Sequence, residues 1–260
     1  MTPPLAEGFR TRNLNHDVPG RRLLHDLSVE ITPGVVTALI GRNGSGKSTL
    51  LRHLTGQVRP SSGEVRFQGR ALHDWSARDL ARHLAYLPQT PPPAEGMHLA
   101  ELVGLGRYPW RGTLGRLRPE DHAIVDDALR QCGIAHLRDR LVETLSGGER
   151  QRGWIAMMLA QGAQWLLLDE PISALDVAHQ VEVLALVQRM SRENGLSVIV
   201  VLHDVNMAAR YCDRVVALGD GQVLLEGPIT ALMTPEALMQ IYGLPMLVLG
   251  EGTRAFAQPV

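Results

Sequence analysis

The sequence predicts an α/β fold with an inserted helical lobe, and three observations predict it. Val35–Ile40 and Leu196–Leu202 are short, continuous apolar runs rich in β-branched residues, the pattern of strands buried on both faces of a parallel sheet. A glycine-rich stretch follows the first of these runs and leads into a helical segment. From Met97 to about Met158 the periodicity turns mostly helical, after a stiff loop containing Pro91, Pro92 and Pro93.

In chain order, the segment up to about Leu39 reads as short strands and turns, with Leu23–Ile31 partly strand-like and Thr32-Pro33-Gly34 a turn. Ser48–Gly56 reads as a helix. Pro60-Ser61-Ser62-Gly63 is a turn before a short alternating strand, Glu64–Phe67, and Leu84–Leu87 is a further short strand. After the helical lobe, Trp165–Leu168 is a strand ending in two carboxylates, and Val177–Arg192 a helix. Leu196–Leu202 is a strand ending at His203, and Val205–Cys212 a helix. Val215–Leu218 and Gln222–Glu226 flank Gly219-Asp220-Gly221, a hairpin signal. The residues from about Gly250 show no periodicity and are expected to fray.

Composition narrows the classes. Of 260 residues, 45% are hydrophobic and 20% charged, enough for a folded core. The formal net charge of −1 gives no electrostatic reason to expect a nucleic-acid partner. Cys132 and Cys212 form no CxxC pair, which fits a reducing compartment. The opening MTPPLAEGFR lacks the basic and apolar regions of a signal peptide. No apolar run approaches the roughly 20 residues that span a bilayer, so the chain is not expected to cross a membrane by itself.

Gly41-Arg42-Asn43-Gly44-Ser45-Gly46-Lys47-Ser48-Thr49 matches GxxxxGK[ST] in full. Such a loop turns its backbone N–H groups towards phosphate oxygens, and the following helix adds its positive end. Lys47 reaches the outer phosphates and the Ser48 hydroxyl is a candidate Mg²⁺ ligand. Asp169 and Glu170 end a buried strand, where open α/β sheets bind ligands. Asp169 suits the Mg²⁺ shell, and Glu170 suits orienting and polarising an attacking water. In Leu145-Ser146-Gly147-Gly148-Glu149-Arg150-Gln151-Arg152 a Ser-Gly-Gly turn opens a helix, making a second anion site. One monomer has no use for two, so this one points to the nucleotide of another subunit. His203 stands at a strand end beside Asp204, and none of the ten histidines falls in an HExxH spacing.

These pieces closely resemble the ATP-binding-cassette ATPases, over nearly the whole chain and in that family's order. They are GRNGSGKST at Gly41–Thr49, LPQ ending at Gln89, LSGGERQR from Leu145, LLLDEP ending at Pro171, SALD ending at Asp176, and His203. The resemblance implies a P-loop NTPase (RecA-like) core, an N-terminal antiparallel β subdomain, and an α-helical subdomain inserted at about residues 92–158. It implies ATP and Mg²⁺, and two copies in a head-to-tail sandwich. Ser146, Gly147 and Gly148 then contact the γ-phosphate held by Lys47 of the other copy. Gln89 contacts Mg²⁺ and water and senses a permease, Asp176 relays across the dimer, and His203 holds the γ-phosphate and supports Glu170. The family's adenine-stacking aromatic is missing: its place falls on Val18, and Phe9 lies too far back. Apolar packing alone is expected there, with modest selectivity for ATP over GTP.

No membrane helix is fused to this cassette, which suggests an importer of separate subunits at the cytoplasmic face of the membrane. Pro92–Met97, Gly106-Arg107-Tyr108-Pro109-Trp110 and Leu202–Asp213 resemble the ATPases of ferric-hydroxamate siderophore importers. Related systems for haem, cobalamin or catecholate siderophores stay open. A permease helix would lodge beside Gln89 and the helical lobe, with a substrate-binding protein an indirect partner. Arg107, Arg111, Arg116 and Arg118 form a basic patch there, either a solvated surface or one near anionic headgroups. A soluble cassette protein of translation or DNA repair would carry tandem cassettes or coiled coils. A P-loop kinase would have no use for the Ser146 turn.

Overall fold

The structure is a computed structural model describing residues 7–112, 115–250 and 255–260. It divides into two compact units, one holding the chain up to Trp75 and from Gln188 onward, the other Ser76–Val187.

The first unit opens with strands β1 (Phe9–Val18) and β2 (Arg21–Ile31), paired antiparallel around a turn at Gly20. β3 (Val36–Ile40) is buried along its whole length, as its continuous apolar run requires, and leads through the glycine-rich loop into helix α1 (Lys47–Leu54). β4 (Ser62–Phe67) and β5 (Arg70–Ala71) complete an antiparallel sheet in the order β2-β1-β4-β5. Phe9 and Phe67 stack at 4.5 Å beneath it.

The second unit begins with α2 (Ala77–His83), capped by the Ser76 hydroxyl, which accepts from the Asp79 N–H. β6 (Leu84–Leu87) follows. The helical lobe is α3 (Leu99–Gly104), α4 (Tyr108–Arg111), α5 (Pro119–Gln131) and α6 (Gly147–Gln161). Gly153 of α6 sits against Leu99 of α3 so closely that a Cβ there would lie 2.7 Å from it. β7 (Trp165–Leu168) runs parallel to β6 in the register Leu87↔Leu168. Helix α7 (Val177–Asn194) carries the chain out of this unit.

Back in the first unit, β8 (Ser197–Val201) lies parallel to β3, and β9 (Arg214–Gly219) lies parallel to β3 on its other side. Between them runs α8 (Val205–Tyr211). β10 (Gln222–Pro228) pairs antiparallel with β9 across Asp220 and Gly221, both at positive φ, the geometry of a two-residue hairpin turn. The chain ends with α9 (Pro235–Tyr242), β11 (Met246–Leu249) and β12 (Phe256–Pro259).

The expectation of a frayed end is corrected in part. β12 pairs antiparallel with β11, and the Asn206 side chain bonds the main chain of Ala257. Four residues are too few for periodicity to register; what orders them is a partner strand and a side-chain amide. Residues 251–254 of that tail, and 1–6 of the opening segment, lie outside the described residues. Helices α2 and α9 were not expected either. Each is short and is set by its cap, Ser76 for α2 and Thr234 followed by Pro235 for α9. Both cysteines are buried, and burial pushes the Cys212 thiol up. Among the described residues no helix is long and apolar enough to cross a membrane.

Candidate functional site

In the first unit the carboxyl ends of β3 and β8 lie side by side, in the register Leu39↔Val201, and the Leu202 N–H donates to the Leu39 carbonyl at 3.2 Å. The Gly41–Thr49 loop and His203 therefore leave the sheet at the same edge. Loop geometry explains the glycines. Gly41 has φ 142°, and a Cβ there would lie 2.1 Å from the Leu218 carbonyl oxygen; Gly44 and Gly46 also have positive φ. Arg42, Asn43 and Gly44 are exposed at the tip, and Ser48 and Thr49 are half-buried in the first turn of α1. Lys47 is buried and curls over the loop, its Nζ donating to the carbonyls of Gly41 at 2.8 Å and Arg42 at 3.0 Å. The Ser45 hydroxyl is buried with no hydrogen-bond partner among the described residues. A buried ammonium and an unsatisfied hydroxyl in a glycine-rich loop suit a polyphosphate anion. His203 is exposed, and its carbonyl accepts from the Tyr242 hydroxyl at 3.4 Å.

In the second unit the parallel strands β6 and β7 bring their carboxyl ends together, and the Asp169 N–H donates to the Leu87 carbonyl at 2.9 Å. Gln89 and Glu170, far apart in sequence, meet there: the Gln89 amide donates to a Glu170 carboxylate oxygen at 2.6 Å. Asp169 is buried. Glu170 has φ 51°, a left-handed conformation that costs a non-glycine residue about 1–3 kcal/mol and survives only where its surroundings enforce it. Its carbonyl accepts from the Ser173 hydroxyl at 3.1 Å, which closes the turn. A cleft of about 370 Å³ opens beside this pair, lined in part by Pro92, Pro93, Gln151, Trp154 and Leu175.

The Ser146 turn belongs to the same unit. Ser146 caps α6 through a reciprocal box: its hydroxyl accepts from the Glu149 N–H at 3.3 Å, and its own N–H donates to Glu149 at 2.8 Å. The hydrogen bond from the Ser146 N–H holds Glu149 below the usual carboxylate range. Asp176 precedes α7, its carboxylate accepting from the His179 N–H at 3.0 Å and meeting the His179 Nδ1 at 2.8 Å. The bond from the His179 N–H lowers the Asp176 carboxyl. The ring of His179 lies on Gly148, where a Cβ would fall 2.1 Å from its Cδ2. His179 thus joins Asp176 to the Ser146–Gly148 turn. Sequence reasoning did not single it out; the signal that could have found it is the cap spacing of Asp176 to His179.

One expectation changes. The arginines of the helical lobe do not form a free basic patch. Arg107 is buried and donates to Asp121 at 2.9 Å and to the Ala160 carbonyl at 2.8 Å. Arg111 bonds Asp121 at 2.5 Å and Glu120 at 2.9 Å, and Arg118 pairs with Glu120 at 3.8 Å. Burial alone would push the Asp121 carboxyl up; the hydrogen bonds from Arg111, the Arg118 N–H and Arg107 outweigh it and hold the group well below its usual range. Arg116 and Arg118 are exposed. Val18, the position expected to meet adenine, is half-buried at the end of β1, and Phe9 is engaged with Phe67.

Comparison with known proteins places this geometry. The family described as ABC transporter matches residues 24–173. The iron(3+)-hydroxamate import ATP-binding protein FhuC of Bacillus subtilis is 44% identical, over 89% of this chain and 86% of its own. The ferric enterobactin transport ATP-binding protein FepC of Escherichia coli is 41% identical, over 87% and 83%. The hemin import ATP-binding protein HmuV of Bordetella pertussis is 40% identical, over 94% and 95%. Among solved structures, a chain of a proposed metal-chelate-type ABC transporter in an inward-facing conformation superposes with a TM-score of 0.84 at 26% identity, covering 98% of this chain and 97% of that one.

Proposed function

The chain belongs to the ABC transporter family, and from that premise we propose that it is the ATP-hydrolysing subunit of an iron(III)-siderophore importer of the hydroxamate type. It works at the cytoplasmic face of the membrane, peripherally, through a separate permease fed by a substrate-binding protein. The pairing of Gln89 with Glu170 at the end of β7 carries the hydrolytic reading: it aims a carboxylate and an amide together at the end of a buried strand.

Lys47 and the amides of Gly41–Gly46 bind the β- and γ-phosphates. Ser48, Asp169 and Gln89 are the side chains that would hold Mg²⁺, hard oxygen donors of the kind this ion takes. The bound ion would neutralise charge on the phosphate oxygens. Glu170 orients the attacking water and accepts its proton, and His203 holds the γ-phosphate. A second copy completes each site with the N–H groups and hydroxyl of its Ser146-Gly147-Gly148 turn, at the positive end of α6. Asp176 signals closure between the copies. A permease helix seats in the cleft beside Gln89, so closure of the pair moves the permease. Nucleic acid has no part in this.

A second reading follows from the Bordetella pertussis relative, which names haem and spans nearly the whole chain. Haem, catecholate siderophores or cobalamin would change the cargo and leave the ATPase chemistry intact.

Glu170→Gln keeps the shape and removes the base. It is expected to bind ATP, to lower hydrolysis by about a hundredfold or more, and to trap a closed dimer in MgATP, read by light scattering. A variant that stays monomeric and hydrolyses at the parent rate would contradict the assignment.

A further inference from the structure

The tail of the chain is fastened to the segment that carries His203. Asp204 caps α8, accepting from the N–H groups of Asn206 at 2.7 Å and Met207 at 3.2 Å, so His203 and Asn206 belong to one rigid turn. From that turn the Asn206 amide reaches β12. Its Nδ2 donates to the Ala257 carbonyl at 3.0 Å, and its Oδ1 accepts from the Ala257 N–H at 2.7 Å. In a strand the N–H and carbonyl of one residue point to the same side, so Ala257 turns both away from β11. Asn206 therefore occupies the free edge of β12 as a neighbouring strand's peptide would. Two further contacts run the same way. The Tyr242 hydroxyl, at the end of α9, donates to the His203 carbonyl. Gly243, which ends α9 at φ 73°, lies against the Arg42 guanidinium, 3.4 Å from where its Cβ would be. The tail thus touches both the histidine turn and the phosphate loop.

We propose that Asn206 is a positioning residue: by locking β12 to α8 it holds the His203 turn at the height from which the imidazole meets the γ-phosphate. The inference rests on the reading of His203 as the γ-phosphate ligand. The tail is then a strap on the catalytic edge, and its attachment sets the rate of hydrolysis rather than the affinity for nucleotide.

The test is steady-state ATP hydrolysis by the purified full-length chain as Asn206→Ala, Ala257→Pro, the double variant, and His203→Ala. Proline at 257 removes from the other side the N–H that Asn206 accepts, and spares the β11 ladder because that N–H faces away from it. Asn206→Ala and Ala257→Pro are each expected to lose about tenfold in kcat, with the KM for ATP within about twofold, since a displaced catalytic group costs rate before binding. The double variant is expected to be no worse than the worse single one, because both break one contact. Parent kcat in Asn206→Ala alongside a lowered melting temperature would overturn the proposal and leave Asn206 a purely structural fastener. Fully multiplicative losses in the double variant would also overturn it. If Asn206→Ala keeps its kcat while His203→Ala loses hydrolysis, the strap fails and the His203 reading stands. If His203→Ala hydrolyses at the parent rate, the reading of His203 fails and the strap with it.

Discussion

Glu170 and His53 show how much a single side chain is shaped by what surrounds it. Glu170 sits in a left-handed conformation that nothing in its own chemistry favours. The Gln89 amide and the Ser173 hydroxyl hold it there, and a carboxylate so fixed has little left to reorganise when water must be aligned. His53, in the last turn of α1, is 1% exposed, and its ring meets that of His16 edge-on at 4.8 Å. Burial, and then the neighbouring His16, lower its pKa from 6.5 to about 4. The folded chain therefore refuses a proton that the unfolded chain accepts. Stability is complete above about pH 6.5 and declines as pH falls from there towards 4. Melting curves at pH 7 and pH 5 are expected to show that decline, and His53→Leu to flatten it. An unchanged pH dependence in His53→Leu would place the acid sensitivity elsewhere.

At the scale of elements, the caps of α6 and α7 are tied together through His179. Gly148 has room only for hydrogen because the His179 ring lies on it. Gly148→Ala is expected to destabilise the chain by about 1–3 kcal/mol, the usual cost of overpacking. In a His179→Ala background the same change is expected to be neutral or to stabilise by up to about 1 kcal/mol, since alanine favours a helix over glycine. Thermal or denaturant melts of the four proteins decide this, and equal destabilisation in both backgrounds would show that His179 is not the obstacle. Such contacts also mark the limit of what sequence patterns carry. The buried runs of β3, β7 and β8, the phosphate loop and the β9–β10 turn were legible because each has a local cause: continuous apolar residues, glycines at positive φ, a two-residue turn. The Gln89–Glu170 bond, the His179–Gly148 packing and the Asn206–Ala257 contact join residues distant in the chain, and local periodicity holds no trace of them. The lobe arginines misled for a similar reason: four cations in sequence read as a patch until Glu120 and Asp121 turn out to neutralise most of them.

At the scale of the whole molecule, this ABC-family chain holds the Gly41–Thr49 loop and His203 in one unit, and Asp169, Glu170 and the Ser146 turn in the other. Relatives named for hydroxamate, enterobactin and haem match this chain at nearly equal identity, so identity alone does not separate the cargoes. The most direct measurement is uptake of labelled ferric hydroxamate by cells lacking this subunit, compared with ferric catecholate, haem and cobalamin. The expected result is selective loss of hydroxamate uptake, restored by the parent chain and not by Glu170→Gln. Normal hydroxamate uptake in those cells, with loss of another cargo or of none, would contradict the assignment.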